Sequence, residues 1–390
     1  MLPTAPWPHF TSDEIAAVTA VLASGKVNYW TGNRSREFER LFAQWTGSRH
    51  AIALGNGTLA LDLALNALGI GPGDEVIVSP RSFIASVSTV VNCGATPVFA
   101  DIHLDSGNIE AETIAAVLTE RTKAILPVHL GGWPCDMPAI QTLARDRNLY
   151  IVEDCAQAHG ARIDGRGVGT FCDVGAWSFC QDKIMTTGGE GGMVTTDDPD
   201  LWSRMWSFKD HGKSWEAVYE RSHPPGFRWL HESFGTNWRM MEFQAALGII
   251  QLERMEAWHR RRTEIAEKIR AALAPLAAGI RCPQPREGLV HAYYRQYAYV
   301  RPGGLREGWD RDGIIAAAQQ SGVTLLQGSC SEIYLEKAFD GTPWRPAARL
   351  PHARELGETS IAFLTHPTIE DEELEIMLDR MTGILSSAIR

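Results

Sequence analysis

The sequence predicts an α/β protein in which helices cover both faces of a mostly parallel sheet, followed by a smaller α+β domain. Between residues 50 and 200, short apolar runs alternate with longer helical patterns, as they do in parallel sheets. From about residue 238, long helical stretches with isolated extended runs replace this alternation. The chain has 390 residues, which is more than a single core usually supports. We therefore expect two domains, residues 1–250 and residues 251–390.

The elements of the larger domain follow from hydrophobic periodicity and from the turn residues between the apolar runs. Short β-branched or apolar runs are predicted to be strands, and longer apolar-rich segments are predicted to be helices. The predicted strands are Ala51–Leu54, Glu75–Ser79, Pro97–Ala100, Lys123–Val128, Leu149–Glu153 and Met193–Thr196. The predicted helices are Thr58–Leu68, Ile84–Asn92, Glu110–Thr119 and Asp136–Asp146. An N-terminal helix, Asp13–Ala23 with Ser12 as its N-cap, is expected to pack on one of the two domains.

The smaller domain is predicted to be joined to the larger one through a long helical stretch. Helical patterns cover Met240–Met255 and then, with many Arg and Glu residues, Trp258–Leu276. They are followed by an extended run at Tyr293–Val300 and by helices at Arg311–Ser321 and Ile369–Ile384. Few extended runs among several helices are typical of a small α+β domain.

Charge and composition argue against several classes of partner. The 37 Lys and Arg against 47 Asp and Glu give a formal net charge of -10, which disfavours nucleic acid and anionic membranes as partners. No run approaches the roughly 18–20 apolar residues that span a bilayer, and residues 1–10 lack the pattern of a signal peptide. The seven Cys form no C-x-x-C pair. We therefore expect a reduced, cytoplasmic protein without a bound metal.

Residues 178–192 carry the densest chemical signal, because the single Lys183 lies just before a glycine-rich turn. A lysine that attacks an aldehyde needs a neutral amine, and surroundings of low dielectric constant favour that form. The glycines let the backbone turn sharply beneath a flat ligand. A glycine-rich hairpin with a surface lysine is equally compatible with the spacing. A P-loop is excluded, because the chain contains no G-x-x-x-x-G-K-[ST] here.

Four further residues lie at or just after the ends of three apolar runs, where parallel sheets form a ligand crevice. Asp154 ends one strand, and a buried carboxylate needs a cationic partner such as a protonated pyridine nitrogen. A helix-capping Asp or an ordinary ion pair would explain it as well. Gly57 and Thr58 begin a helix, whose free N–H groups suit a phosphate, although capping alone would also explain Thr58. Ser178 ends another apolar run, so we expect all of these side chains to open onto one crevice.

In their order along the chain, these segments resemble the DegT/DnrJ/EryC1/StrS aminotransferases, which are sugar aminotransferases of pyridoxal-phosphate (PLP) fold type I. The resemblance runs from about residue 31 to about residue 252 and returns at residues 364–368. It implies PLP as the cofactor and a seven-stranded, mostly parallel sheet in the large domain. The matching stretches are Gly55–Ala60, Leu68–Val78, Gly94–Asp101, Thr122–Gly132, Val152–Gly160, Ser178–Met193 and Gly235–Leu252.

The resemblance implies a role toward the PLP ring for four positions. Lys183 would carry the cofactor as a Schiff base, and Asp154 would pair with the pyridine nitrogen to keep the ring an electron sink. Gln157 would lie beside the PLP hydroxyl. Phe83 would stack on the ring, although without the family it would be taken for a core residue.

The resemblance also implies a phosphate cradle shared between subunits. Gly57, Thr58 and Ser178 would hold the phosphate from within one chain. Asn237 is similar to an Asn that reaches the phosphate of the neighbouring subunit, although by itself it would be only a loop residue. We therefore expect a homodimer with two shared active sites.

Two local departures from the family pattern lie close to the lysine. The family's usual T-T-G-E-G-G run is one residue longer here, because both Gly188 and Gly189 are present. Cys180 occupies a position that is often His in the family. The turn beneath the cofactor and the nearby substrate surface are therefore expected to be reshaped. Because Lys183 is retained, the resemblance implies transamination and not the dehydration of relatives with His at this position.

The implied reaction moves an amino group from an amino acid, expected to be L-glutamate, to a keto sugar, expected to be nucleotide-linked. The products would serve amino-sugar or surface-polysaccharide biosynthesis, such as that of lipopolysaccharide. An aminotransferase for cyclitol ketones that uses glutamine is an alternative, and Gln181 two residues before Lys183 supports it. A PLP-binding regulator without turnover is the third hypothesis.

Overall fold

The computed structural model of the protein describes residues 6–390, so residues 1–5 of the segment considered as a signal peptide lie outside the described residues. Within this range the strands are, in chain order, β1 (His50–Leu54), β2 (Glu75–Val78), β3 (Thr96–Phe99), β4 (Thr122–Leu126), β5 (Tyr150–Asp154), β6 (Arg162–Ile163), β7 (Arg166–Gly167), β8 (Val174–Ser178), β9 (Gly192–Thr196), β10 (Ile280–Arg281), β11 (Leu289–Val290), β12 (Arg295–Val300), β13 (Leu325–Leu326) and β14 (Ser360–Leu364). The helices are α1 (Ser12–Ser24), α2 (Arg34–Thr46), α3 (Gly57–Ala67), α4 (Ala85–Asn92), α5 (Ala111–Ala115), α6 (Met137–Arg147), α7 (Pro199–Phe208), α8 (Trp215–Tyr219), α9 (Glu242–Leu273), α10 (Arg311–Gln320), α11 (Pro351–Thr359) and α12 (Asp371–Ala388).

The central sheet has seven strands in the order β1-β9-β8-β5-β4-β2-β3, which confirms the mostly parallel, seven-stranded sheet. Strands β3, β2, β4, β5 and β8 run parallel, whereas β9 is antiparallel to both of its neighbours. Every residue of β2, β8 and β9 is buried, because helices cover both faces of the sheet. The carboxyl ends of β1, β5 and β8 therefore meet at one edge, where such sheets bind ligands.

The start of β2 shows how local sequence sets these strands. In the preceding turn the Asp74 N–H donates to the Gly71 carbonyl at 3.1 Å, and the Asp74 carboxylate accepts the Gly71 N–H at 3.0 Å. The run after this turn, Glu75–Val78, contains three β-branched residues, which favour a strand.

A second sheet forms the small domain. Its four strands are antiparallel in the order β10-β12-β14-β13, and α10 and α12 cover it. Ile314 of α10, Phe363 of β14 and Leu374 of α12 share its hydrophobic core. This combination has the predicted α+β composition. A third, small sheet, β11-β6-β7, pairs Leu289 with Ile163 and so bridges the two parts of the chain.

Helix α9 is continuous over 32 residues and accounts for most of the long helical stretch that the sequence predicted near residues 240–275. Its first half packs into the core of the large domain through Ala245 and Met255. Its second half packs into the core of the small domain through Ile265 and Ile269. The predicted boundary between residues 250 and 251 falls inside this helix, and the division of the chain at that position stays a prediction.

The N-terminal helix α1 begins one residue earlier than predicted, and Ser12 is not its N-cap. Thr11 occupies that position, and the Glu14 carboxylate accepts both its N–H and its hydroxyl at 2.7 Å. A Glu three residues after the cap satisfies donors that the helix leaves open. The same carboxylate accepts from Gln251 and pairs with Arg254, each at 2.9 Å, so α1 is fixed to α9.

One predicted helix was wrong in extent, and four helices were not predicted, namely α2, α7, α8 and α11. Helix α5 ends at Ala115 instead of Thr119, because the chain turns toward β4 and the Thr119 N–H donates to the Thr122 hydroxyl at 3.0 Å. Helix α2 was not predicted, although Phe38 and Phe42 lie one helical turn apart and are both fully buried. Among residues 6–390, the helices lack the length and apolar composition that crossing a bilayer requires.

Candidate active site

A cavity of about 930 Å³ opens at the edge where β1, β5 and β8 end. The structure brings seven of the eight predicted site residues to this cavity and leaves Asn237 outside it. The seven residues that line the cavity are Gly57, Thr58, Phe83, Asp154, Gln157, Ser178 and Lys183.

The N-terminus of α3 forms one end of the cavity. The Asn56 side chain caps the helix by accepting the Leu59 N–H at 2.9 Å. The first N–H groups of a helix, here those of Gly57 and Thr58, have no partner within the helix and can bind an anion. A Cβ on Gly57 would lie 2.5 Å from the Cβ of Ser178, so the strand end and the helix start approach as closely as glycine allows. A phosphate group fits this end of the cavity.

We expect a Gly57→Ala substitution to weaken cofactor binding at least about tenfold and to destabilise the fold by about 1–3 kcal/mol, because its methyl group overlaps Ser178. Titration with PLP followed by absorbance, together with thermal unfolding, would measure both effects. A Gly303→Ala variant is the control, since a Cβ at Gly303 meets no atom within 4 Å. Equal PLP affinities in the two variants would refute the role of Gly57.

Asp154 lies at the bottom of the cavity and is 5% exposed. Its carboxylate accepts the Ser86 hydroxyl at 2.8 Å and the Ala156 N–H at 3.1 Å. No Lys, Arg or His within residues 6–390 forms a salt bridge with it, which is costly for a buried carboxylate. A protonated pyridine nitrogen in the cavity would supply the missing positive charge. Ser86 was not predicted, although it lies only three residues after Phe83, in the first turn of α4.

Phe83 and Gln157 form walls of the cavity. Phe83 is 69% exposed in the isolated chain, so the alternative that it belongs to the core does not hold. An exposed ring beside the cavity can stack on a flat ligand. The side-chain oxygen Oε1 of Gln157 accepts the Gly131 N–H at 2.7 Å, which leaves the side-chain NH₂ group of Gln157 as a donor.

Lys183 lines the cavity and is not an ordinary surface lysine. Its ammonium nitrogen lies 5.1 Å from the centre of the Tyr294 ring. Its backbone carbonyl accepts the indole N–H of Trp7 at 2.9 Å. The segment that carries Lys183 is therefore held from the N-terminal part of the chain.

The extra glycine after Lys183 is accommodated by the backbone of the turn. Gly188 has φ of 93° and Gly189 has φ of 127°, values that favour glycine. The Gly189 carbonyl accepts the Gln181 N–H at 2.9 Å, which closes the turn back onto the strand end. Cys180 also lines the cavity, and its Sγ lies 4.0 Å from a carboxylate oxygen of Glu190. The longer run is therefore accommodated within a closed turn, and Lys183 lines the cavity.

We expect a Trp7→Phe substitution to lower kcat roughly two- to tenfold and thermal stability by about 1 kcal/mol, since the Lys183 carbonyl loses its donor. Phe keeps an aromatic ring against Trp258, whose ring centre lies 5.2 Å away. Initial rates and thermal unfolding would test the expectation. A Trp309→Phe variant in the small-domain core is the control, and identical kcat values in both variants would contradict a role for Trp7.

The small domain contributes residues that sequence reasoning missed. Tyr294, Arg295 and Tyr297 line the cavity from the start of β12, and the Ser329–Cys330 segment lines it from the loop after β13. The only sequence signal was the polar and aromatic content of the extended run predicted at 293–300. That run was predicted as a strand without a functional role, because nothing in its spacing indicates that it lies beside Lys183, more than a hundred residues earlier in the chain.

Three buried histidines lie close to this site and are held neutral. Burial and the nearby charges of Lys183 and Arg262 lower the pKa of His159 to about 3. Burial and Arg262 do the same for His366, and burial with a neighbouring histidine does so for His291, each with a pKa of about 3. The ordinary value is 6.5.

We expect these histidines to make the fold sensitive to acid. Between pH 6.5 and pH 3 the unfolded chain binds protons that the folded chain does not, so stability falls as the pH falls, by up to about 1.4 kcal/mol per pH unit and histidine. Melting temperatures recorded across this range would show the slope. A His159→Leu variant should have a shallower slope, whereas His9→Leu, which changes an exposed side chain, should match the wild type. A slope unchanged in His159→Leu would contradict the expectation.

A buried cluster next to Asp154 resembles a metal site within residues 6–390. His129, Glu153 and Cys155 place one potential ligand atom each within 4.8 Å of one another. The Cys135 N–H donates to His129 Nδ1 at 3.0 Å, so Nε2 carries the proton and donates to Glu153 at 2.8 Å. Glu153 also accepts the Gly169 N–H at 2.8 Å. The polar atoms of His129 and Glu153 therefore have hydrogen-bond partners within the protein, which favours a structural role for these two residues.

Asn237 lies in a different place from the other predicted site residues. It is exposed and forms an isolated antiparallel bridge with Asp210. Asp210 in turn pairs with Arg239 at 2.6 Å and with Lys213 at 3.2 Å. Asn237 is therefore held at the surface and does not reach the cavity of its own chain, and its role stays a prediction.

Comparison with known proteins gives consistent matches over nearly the whole chain. Residues 8–382 match the model of the DegT/DnrJ/EryC1/StrS aminotransferase family. The X-ray structure of an aminotransferase from Psychrobacter cryohalolentis has a TM-score of 0.98 and 57% identity, covering 98% of this chain and 99% of that chain. The GDP-perosamine synthase of Caulobacter vibrioides is 44% identical over 74% of each chain. The spore coat polysaccharide biosynthesis protein SpsC of Bacillus subtilis is 34% identical over 98% of this chain and 96% of its own.

Proposed function

The chain belongs to the DegT/DnrJ/EryC1/StrS aminotransferase family, and we propose that it transfers an amino group from L-glutamate to a nucleotide-linked keto sugar. It is a PLP-dependent aminotransferase of fold type I that acts on keto sugars, so these predictions from the sequence are confirmed. The structural observation that carries the proposed transfer of an amino group is the cavity that collects Lys183, Asp154 and the start of α3. A GDP-linked sugar in the name of one relative supports the nucleotide-linked acceptor.

Bound PLP supplies an electron sink that makes the Cα proton of the donor acidic and carries the amino group between two half-reactions. Lys183 would hold the cofactor and, once its amine is free, would take the proton from Cα as a general base and return it as a general acid. The Asp154 carboxylate would hold the proton on the pyridine nitrogen. The N–H groups of Gly57 and Thr58 with the Ser178 hydroxyl would hold the phosphate.

We propose that the protein is a homodimer with shared active sites, because a group of exposed aromatic side chains lies in the segment that contains Asn237. Three aromatic side chains near Asn237 are largely exposed in the single chain: Phe227 at 74%, Trp229 at 81% and Phe234 at 99%. Exposed apolar groups in one segment mark a contact with another protein. Asn237 lies in this same segment, and we propose that a second copy covers the aromatic residues and receives Asn237 at the cavity of that second copy.

Subunit complementation would test the shared site. A Lys183→Ala chain and an Asn237→Ala chain should each have low activity alone. In a mixed dimer, one cavity receives an intact Lys183 from one chain and an intact Asn237 from the other, so activity should return. Mixtures that stay as inactive as their components would overturn the shared site, and a single-chain mass in solution would overturn the dimer.

The free thiols support a reducing compartment, and we propose that the protein acts in the cytoplasm. All seven cysteines are free, and Cys330 is exposed. Disulfides form readily in oxidising compartments. Fractionation of native cells followed by immunodetection would test the proposed compartment.

A two-stage assay would test the proposed substrates. The visible absorbance of the purified holoenzyme should decrease on addition of L-glutamate and return on addition of a nucleotide-linked keto sugar. Return of the absorbance only with cyclitol ketones, and a decrease only with glutamine, would favour the alternative cyclitol aminotransferase. No change with any amino acid would favour a regulator without turnover.

A further inference from the structure

The cavity contains one guanidinium group whose role has not been assigned. Arg295 is the first residue of β12, and its side chain is 14% exposed. No other Arg of the described chain lines the cavity. Its Cζ lies 4.3 Å from the centre of the Tyr294 ring, and Lys183 Nζ lies 5.1 Å from the centre of the same ring. Arg295 and Lys183 therefore both lie against the Tyr294 ring, and we refer to these three residues as one wall of the cavity.

The charge on this wall is only partly balanced. The Asp182 carboxylate accepts the Tyr294 hydroxyl, but it lies 3.9 Å from Arg295 Nη2, which is beyond hydrogen-bond distance. Behind the wall, Arg262 is fully buried, and its one hydrogen bond within residues 6–390 goes to the Tyr293 carbonyl at 3.3 Å. An anion beside Arg295 would therefore be stabilised by two guanidinium groups and Lys183.

The hydrogen bonds of Arg295 leave part of its donor face open. Nη1 donates to the Tyr294 carbonyl at 3.0 Å, and no carboxylate in the described chain forms a hydrogen bond with this residue. A guanidinium presents five donors in a planar arrangement that matches a carboxylate. A planar anion is therefore the group that suits the open donors.

We propose that Arg295 binds the α-carboxylate of the amino donor. This inference rests on the proposed transamination, in which the amino group of the donor must reach the place held by Lys183. The α-carboxylate is bonded to the carbon that carries this amino group, so it lies within a few ångströms of Lys183 and meets the wall that Arg295 shares. A keto sugar has no such carboxylate, so Arg295 acts on the donor half-reaction.

The test compares three variants of the holoenzyme in the donor half-reaction. The rate at which the visible absorbance decreases is recorded against L-glutamate concentration for wild type, Arg295→Gln and Arg295→Lys. Arg301→Gln is the matched control, because Arg301 follows the same strand, is exposed and lies outside the cavity. Hydroxylamine serves as a second probe, since it attacks the bound cofactor without carrying a carboxylate.

We expect Arg295→Gln to raise the half-saturating L-glutamate concentration about 10- to 100-fold, the loss typical of a charge-assisted hydrogen-bonded pair. Arg295→Lys should recover part of this loss, and the hydroxylamine rates should stay within about twofold of wild type. An unchanged half-saturating concentration in Arg295→Gln would overturn the inference, as would an equal loss with hydroxylamine. A wild-type enzyme that reacts with hydroxylamine but with no amino acid would instead overturn the proposed function.

Discussion

A Lys183→Ala substitution is expected to reduce transamination by at least about 10³-fold, the largest effect of any single change at this site. Lys183 is the only lysine that lines the cavity within the described residues. Alanine would remove both the amine proposed to hold the cofactor and the base proposed to move the Cα proton. Steady-state rates with L-glutamate and a keto sugar would measure the loss.

A second readout separates the loss of chemistry from a loss of folding. Borohydride treatment of the wild-type holoenzyme should fix the cofactor to the peptide that contains Lys183, and mass spectrometry should find no such adduct in the variant. Lys123→Ala removes an exposed lysine of β4 and should behave as the wild type in both assays. Full turnover of Lys183→Ala would refute the proposed mechanism.

An Asp154→Asn substitution is expected to lower kcat about 10²-fold or more while it stabilises the protein without cofactor. Among residues 6–390 this buried carboxylate has two neutral donors and no cationic partner, which is an unfavourable state. An isosteric amide removes that cost, so the free energy of unfolding of the apo form should rise by about 1 kcal/mol. The holo form should lose stability, because the pyridine nitrogen loses its counter-charge.

Thermal unfolding with and without PLP would test these opposite signs. Glu153→Gln provides the matched comparison one residue away. Glu153 is buried too, but it accepts hydrogen bonds from His129, Gly169 and Phe171, so its amide variant should destabilise both forms by about 1–3 kcal/mol. If Asp154→Asn destabilises the apo form as much as Glu153→Gln does, Asp154 has a structural role and the expectation is wrong.

Much of the large domain could be predicted because its signals are local. Each strand of the central sheet is a short apolar run bounded by turn residues, as at Asp74 before β2. Where strand bounds were predicted, they differ from the observed ones by at most two residues. The positions of Asp154 and Ser178 could also be predicted, because both residues end strands and therefore lie at one edge of a parallel sheet. Position along a strand was enough to bring them together.

The remaining parts depend on contacts between distant segments. Tyr294 hydrogen-bonds Asp182 across 112 residues of sequence, and no spacing rule predicts such a pair. The N-cap of α1 was misplaced because Thr11 and Ser12 are equivalent cap residues, and only Glu14 distinguishes them. Asn237 has no local signal at all, since its proposed partner lies on another copy of the chain.

The continuous helix α9 limits how this enzyme can open and close around its substrate. A helix of 32 residues is about 48 Å long, and it is anchored in the large-domain core at one end and in the small-domain core at the other. A hinge near residue 250 would have to break backbone hydrogen bonds in the middle of this rod. Any rearrangement that admits substrate is therefore expected to proceed by small sliding shifts of packed side chains along α9, not by rotation of one domain about a flexible linker.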